Sequence, residues 1–433
     1  MQEPPERRVA GIAPGVTFCA IPAGRFKTSL LELHMALPLR MGQPGRTAAN
    51  AMLPFLLRRS CAAYPSPRLL ESRLAELYGA HLLARACKIG ETHQLTLGLS
   101  AIEDRFADRG GSIAKACAAL LEELLFRPRL ENDIFPEDAV ELEKRLLCER
   151  LEAEQGNKRL YSMRRCEELM CAGEAYGLNA YGTPEAIMAL TPRDMAEAWR
   201  NLLRGAQMQF TLVSDGDGAA VEEALRAAFM EIERAPVELD GEFILGAAEP
   251  KYYDESQPVE QGKLVMGFRT GMRHRDDHNY ATRVMADLFG GGVYSKLFLV
   301  VREQKSLCYY CWARPARFKG IMMVASGVDT SKAEEARAAI LEQLALMRTG
   351  DFTDEELATA QRSMCDDIQS VADSPEALAE FYSAGLLTGE YLTPKELCEH
   401  INAVNREEVV AAAKLVTLDT VYLLKSEERG EEE

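Results

Sequence analysis

The stretch Thr47-Ala-Ala-Asn-Ala-Met-Leu-Pro-Phe-Leu-Leu-Arg-Arg-Ser60 is apolar over nearly all of its length and turns basic only at Arg58. It lies in a helical run over 46–60 that follows an alternating apolar segment, 29–39, and a polar turn, Gly42-Gln-Pro-Gly45. A second helical stretch over 67–78 comes next, then two alternating strands, 81–88 and 93–100, joined at Ile89-Gly-Glu91. Such a helix is expected to be buried. Pro54 removes the N–H that would bond back to the carbonyl of Asn50, so a kink or a tightened turn is expected there.

Outward from this helix the chain repeats itself. Helical patterns over 111–125, 137–154, 157–171 and 192–203 lead to a strand over 207–213, and a polar linker rich in Glu, Pro and Gly spans 240–261. A strand over 263–269 follows, with helices over 279–289 and 294–302 and strands over 307–314 and 320–327. Helices over 332–348 and 353–371 and further helix to residue 387 precede a last strand, 419–424. The same element order twice implies an α+β protein of two homologous halves, each an antiparallel sheet flanked by helices. The expected boundaries are 1–235, a linker over 236–262, and 263–433.

The order strand, helix, helix, hairpin resembles the opening of the pitrilysin/insulinase family of inverted-motif zinc peptidases, with a build like that of mitochondrial processing peptidase. The family's metal helix carries His-x-x-Glu-His, and residues 47–60 lie over it without a gap, so Asn50, Leu53 and Pro54 stand where His, Glu and His are expected. The types matter chemically. Two imidazoles four residues apart share a helix face and reach one zinc ion, while the Glu between them takes a proton from the metal-bound water. Leu53 and Pro54 have no ligand atom, and Asn50 offers one weak carbonyl oxygen. Catalysis and bound zinc are therefore expected to be absent. The family's third ligand is a Glu on a downstream helix; by position Glu149 is its equivalent, a remnant or one member of a solvated face.

The second half keeps more of the family's pattern. Gly290-Gly-Gly-Val-Tyr-Ser-Lys-Leu-Phe298 and Val301-Arg-Glu-Gln-Lys-Ser-Leu-Cys-Tyr-Tyr310 resemble its Gly-Gly-x-x-x-Ser-Arg-Leu and Leu-Arg-Glu-x-x-x-Leu-Ala-Tyr phrases. The resemblance implies that Arg302 and Tyr309 hold a substrate's backbone and carbonyl oxygen, which suits a guanidinium fork and a phenol. A surface ion pair and a packed ring are the alternatives. Gly290, Gly291 and Gly292 correspond either to a substrate-handling glycine loop or to a turn that ends a helix. His274-Arg-Asp-Asp-His278 mimics the missing motif in the wrong half and sits where an Asp would cap a helix. His34, His81, His93 and His400 stand alone.

The net charge of -17, with no basic stripe, argues against a nucleic-acid partner. No run of about 18 apolar residues or signal-like segment is found, so no membrane partner and a cytoplasmic location are expected. The eleven cysteines, an odd number, fit reduced thiols. Cys308-Tyr-Tyr-Cys311, on a strand, is expected to point its thiols to opposite faces. The acidic 427–433 tail is expected to be solvated. Leu74-Ala-Glu-Leu-Tyr-Gly-Ala80 and the phrase ending at Tyr176-Gly177 resemble a bacterial branch associated with 5-aminopentanol modification of elongation factor P. That branch implies a pseudopeptidase partnered by a zinc-bearing paralogue or by itself, receiving an extended peptide. An active peptidase with an unorthodox site at His274 and His278, and a structural homodimer with a vestigial cavity, remain open.

Overall fold

Alternating apolar strands need helices to cover them, and the chain supplies two such assemblies. The computed structural model describes residues 7–22, 24–108, 111–276 and 279–426, so the acidic tail, Asp277 and His278 lie outside the described residues. The first compact unit comprises Met1–Leu151, Asn179–Asp240 and Ser370–Pro394, and the second Glu152–Leu178, Gly241–Gln369 and Lys395–Glu433.

In the first unit β1 (Arg8–Ala13), β2 (Val16–Ile21), β3 (Thr28–Pro38), β4 (His81–Ile89), β5 (Thr92–Ile102) and β6 (Gln207–Val213) form one sheet, ordered β1-β2-β6-β3-β5-β4. Only β2 and β6 pair in parallel. The β4–β5 turn is tight, and Gly90 supplies its left-handed residue at φ 56°. Helices α1 (Pro44–Leu57), α2 (Pro67–Glu76), α3 (Ile113–Phe126), α4 (Glu137–Gly156), α5 (Lys158–Met170), α6 (Pro184–Met188), α7 (Pro192–Gly205) and α8 (Gly218–Phe229) follow in chain order. Of these, α1, α3, α7 and α8 close the apolar core over one face of the sheet.

The second unit's sheet contains β7 (Lys251–Gln257), β8 (Gly262–Arg269), β9 (Cys308–Ala316), β10 (Ile321–Val328) and β11 (Thr417–Ser426), ordered β7-β11-β8-β10-β9. Again one pair, β7 with β11, is parallel. Its core is closed by α9 (Asn279–Gly290), α10 (Ala333–Thr349), α11 (Asp354–Ser370) and the helices Pro394–Ala403 and Arg406–Leu415. Counted from the parallel edge, β2-β6-β3-β5-β4 and β7-β11-β8-β10-β9 are the same order of strands. The α+β duplication expected from the sequence is thus present at the level of topology.

Two expectations need correction. The interval 236–262 is not all linker, since β7 lies within it. The contiguous boundaries also fail to describe the units, because each sheet's second face is covered by a segment from the other half of the sequence. On the first sheet α12 (Pro375–Ser383) packs against β3 and β6, with Gln209 Nε2 donating to the Tyr382 carbonyl at 3.0 Å. On the second, α5 packs against β8 and β11. Among the described residues no helix is long and apolar enough to cross a membrane.

Candidate functional site

Pro44 opens α1 at a position where its missing N–H costs nothing, and residues 47–57 are buried throughout. The helix passes through Pro54 without ending: it continues to Leu57, and the Pro54 carbonyl accepts from the Arg58 N–H at 3.2 Å. Leu53 is fully buried in the apolar core of the first sheet. A carboxylate at that position would have no water to work on. Asn50 alone of the three positions reaches open space, where it lines a cleft of about 860 Å³ with Arg46, Asp194, Glu197 and Arg204. Beneath it runs a crevice with no water-sized space, bounded by Asn50, Arg46, Gln43 and His93.

His93 is fully buried. Burial pushes its imidazole down to about 4, against a smaller opposing effect of the Ala180 backbone, so it is neutral at physiological pH. Pairing of β3 with β5 sets His93 opposite Leu37 and carries it under α1, which a reading of isolated histidines could not foresee. Glu149 lies exposed on α4. The buried acid of that helix is Glu143, held by Arg59 at 2.8 Å, and the Arg150 guanidinium stacks on Phe55 at 3.8 Å from the ring centre. A carboxamide oxygen and a neutral imidazole are a poor donor set for zinc, which takes four ligands at structural sites. Among the described residues no group of three His, Cys, Asp or Glu could hold a metal ion. The residues present do not fit the ion that the motif's place would require.

In the second unit α9 ends at Gly290, and the Gly291 N–H bonds back to the Asp287 carbonyl at 2.7 Å. A Cβ on Gly290 would stand 2.5 Å from the Ala313 backbone nitrogen, and one on Gly291 2.0 Å from the Asp287 carboxylate. These two glycines therefore allow close packing against β9 and α9. A π-helical turn, Leu297–Gln304, then carries Arg302. Its side chain is 39% exposed, lies 4.5 Å from the Phe298 ring centre and comes within 3.6 Å of Glu303. Tyr309, 59% exposed, projects from β9, the sheet's edge strand. Arg302 and Tyr309 both flank Cys308, the first by its charge and the second as its chain neighbour.

That thiol overturns an expectation. The register shifts at Gly327/Val328, where Tyr310 pairs with Gly327 and Cys308 with Val328, leaving Tyr309 as an extra residue. A bulge of this kind reverses the alternation. Cys308 and Cys311 therefore point to the same face, toward the helix-covered core, while Tyr310 and Trp312 face the other way. His274 packs between Phe243 and Phe318, with ring centres 6.1 and 4.9 Å away, and burial, with Arg275 and Arg317 nearby, pushes it down to about 4. Asp276 accepts from the Arg273 N–H at 2.7 Å, as a turn residue would.

Residues 189–364 match the family description "Peptidase M16 inactive domain". The probable inactive metalloprotease YmfF of Bacillus subtilis is 31% identical over 414 residues, covering 96% of each chain. This chain belongs to the M16 peptidase family. It is a motif-degenerate, insulinase-like member, in keeping with Asn50, Leu53 and Pro54. An uncharacterized zinc protease, YmxG, also of Bacillus subtilis, is 26% identical over 189 residues, 42% of this chain and 46% of its own length. A conserved protein from Enterococcus faecalis has the same fold, with a TM-score of 0.88 at 23% identity over 98% of this chain and 100% of that one. In M16 terms the emptied metal helix and the Arg302/Tyr309 stretch lie on the two topologically equivalent sheets. The cleft residues Asp194, Glu197 and Arg204 gave no sequence signal, because they lie on α7 and reach α1 only through the tertiary fold.

Proposed function

We propose that this M16-like protein is a non-catalytic peptide binder that partners a zinc-bearing paralogue in the cytoplasm. One observation carries the reading. The position of the general base is a leucine sealed in the core, whereas Arg302 and Tyr309, the positions that would grip a peptide, stand exposed. Edge strands β4 and β9 each pair on one side only and offer backbone groups to an extended segment. The paralogue is suggested by Bacillus subtilis, where a probable inactive and a zinc-protease relative of this chain coexist. Modification of elongation factor P is the process that the sequence resemblance suggests for the pair.

The test is co-expression with a His-x-x-Glu-His paralogue, followed by affinity purification, zinc analysis and peptide-cleavage assays. The expected result is a stable complex whose zinc and cleavage follow the paralogue. A chain that purifies alone as a homodimer and binds no peptide would reduce the protein to a structural role. Stoichiometric zinc in the isolated chain, lost in His278→Ala, would make it an enzyme with an unorthodox site.

A further inference from the structure

On its α5-covered face the second sheet carries a run of cations and aromatic rings at β9. Opposite residues of paired strands share a face, and the register sets Tyr310 opposite Gly327, Trp312 opposite Ala325 and Arg314 opposite Met323, with Lys263 on the far side of Gly327. Met323 and Ala325 belong to the cluster packed under α5, so Arg314 and Lys263 stand on that face with the two rings. A Cβ on Gly327 would come within 2.5 Å of the Tyr310 ring, so the ring lies over the bare backbone between its own strand and Lys263. From the first turn of α5 the Arg159 guanidinium lies 4.5 Å from the Tyr310 ring centre and 5.5 Å from that of Trp312. Arg314 lies 5.0 Å from the Trp312 ring.

No carboxylate answers these groups. The chain carries a net charge of -17, yet among the described residues Arg159, Lys263 and Arg314 form no ion pair with an acid. The Trp312 indole N–H is buried there without a hydrogen-bond partner. A guanidinium resting on a ring is held in place while the N–H donors at its rim stay free, which suits it to grip a carboxylate. Arg159 and Arg314 are both exposed. Burial, with Arg159 nearby, holds the Lys263 ammonium below its usual range, and an added negative charge would relieve it. At the same place β9, last in the strand order, pairs with β10 and leaves its outer backbone groups open among the described residues. A nucleic acid could use the charges and the rings but not the strand's edge. An extended peptide uses all three.

Resting on the peptide-binding reading above, we propose that the edge of β9 takes an extended acidic segment, whose carboxylates at alternate positions meet Arg159, Lys263 and Arg314 while its backbone pairs with the strand. A strand turns every second side chain to one face, so the acids recur with a period of two. The segment is thereby defined by chemistry: an acidic strand, not a basic or an apolar one.

The experiment titrates the full chain with short, labelled, end-capped peptides and reads binding by fluorescence anisotropy. One peptide alternates Glu with Thr, a second carries Gln for every Glu, and a third gathers the same Glu and Thr residues into two blocks. The alternating acidic peptide is expected to bind at least about tenfold more tightly than its Gln form, an advantage that shrinks as salt is raised. The blocked peptide is expected to bind about threefold or more weakly than the alternating one. Arg314→Gln is expected to cut the advantage about threefold and leave the Gln peptide's affinity unchanged, which a misfolded variant would not do. Equal affinity for the Glu and Gln peptides, or tighter binding of a Lys-Thr peptide, overturns the acidic specificity and leaves the peptide-binding reading standing. Binding of none of the peptides removes both. A single-stranded oligonucleotide that displaces the acidic peptide at lower concentration than the unlabelled peptide itself would also overturn the proposal, making the face a nucleic-acid site. The wild-type comparison decides the matter even where the variant folds poorly.

Discussion

On the first sheet Glu32 and His34 sit two residues apart on β3, both buried, with His34 Nε2 3.5 Å from Glu32 Oε2. Neither imidazole nitrogen and not that carboxylate oxygen has a hydrogen-bond partner. Arg85 reaches only the other oxygen, at 3.4 Å. On the equivalent strand of the second sheet, β8, Arg269 is gripped by Glu174 through two bonds of 3.0 and 2.6 Å and by Asp419 at 2.8 Å, and Lys319 meets Glu174 at 2.6 Å. Two cations and two carboxylates balance there. The duplicated topology fixes where a covering segment lands but not how its charges are satisfied. In this chain the unit that lost its catalytic residues also holds the incomplete polar face.

The largest effect is expected from rebuilding the motif. Asn50→His, Leu53→Glu and Pro54→His together place a carboxyl where Leu53 is wholly enclosed. Burial would raise that carboxyl's pKa by several units and leave the protonated group without a partner; together these cost about 5 kcal/mol near neutral pH, and the ionisation part shrinks on acidification. Denaturant unfolding with parallel zinc analysis is the check. A well-folded triple variant that binds zinc would show that the first unit kept its metal-binding geometry and lost only three side chains.

Next in size is Arg269→Met. It leaves Glu174 and Asp419 without their main partner, and breaking a buried pair in this way costs about 3–5 kcal/mol. Burial would push Glu174 up, but hydrogen bonds from Arg269 and Lys319 outweigh it and hold the carboxyl below the usual range. Its stabilising contribution is therefore complete above that range and is lost as pH falls through it. Thermal unfolding of wild type and variant at neutral and acidic pH should converge on acidification. Curves that stay parallel would mean that the balance of charge on the second sheet is not what holds α5 down.

Glu32→Gln should behave in the opposite sense. Burial, only partly offset by Arg85 and reinforced by Glu380 and Glu376, raises Glu32 to about 7. A group raised in the folded state contributes stability at low pH that is lost as pH rises through about 7. His34, pushed down to about 3 by burial and Arg85, is destabilising toward acid instead, so the comparison is between variant and wild type rather than across pH for wild type alone. The difference should move in the variant's favour by up to about 3 kcal/mol between pH 4 and pH 8. A flat difference would place Glu32 in a better-solvated setting and erase the contrast between the sheets.

Most of this architecture was legible in the sequence, because long apolar periods announce themselves. The strand at 207–213 and the helices around 137–154 and 279–289 lie within two residues of the observed bounds. The strands β1, β2 and β7 were not read. Lys251-Tyr-Tyr-Asp-Glu-Ser-Gln257 has no alternating apolar face, and it becomes a strand only by lying parallel to β11 at the sheet edge. The vacancy at Asn50, Leu53 and Pro54 was plain from residue types alone. The thiol pair was not, because a one-residue bulge reverses a strand's faces without marking the sequence. Exchange of the 152–178 and 370–394 segments was equally hidden, since nothing local says which sheet an amphipathic helix will cover.

The smallest effect on stability, and the most telling for function, is expected of Arg302→Ala. The side chain is half in solvent, its one carboxylate neighbour is an exposed Glu303, and its stacking on Phe298 is at the surface. Exposed pairs of this kind contribute under about 1 kcal/mol, so unfolding should barely change. Peptide affinity should fall about tenfold or more if the guanidinium holds a backbone carbonyl, because a charge-assisted hydrogen bond is typically about 1.5–3 kcal/mol. Titration of the wild type and the variant with an extended peptide separates the two roles. Loss of binding with stability intact would place recognition in the second unit and leave the first as its scaffold. Unchanged binding would return the search to Arg46, Asp194 and Arg204 in the cleft beside Asn50, where the first unit still presents charge to solvent.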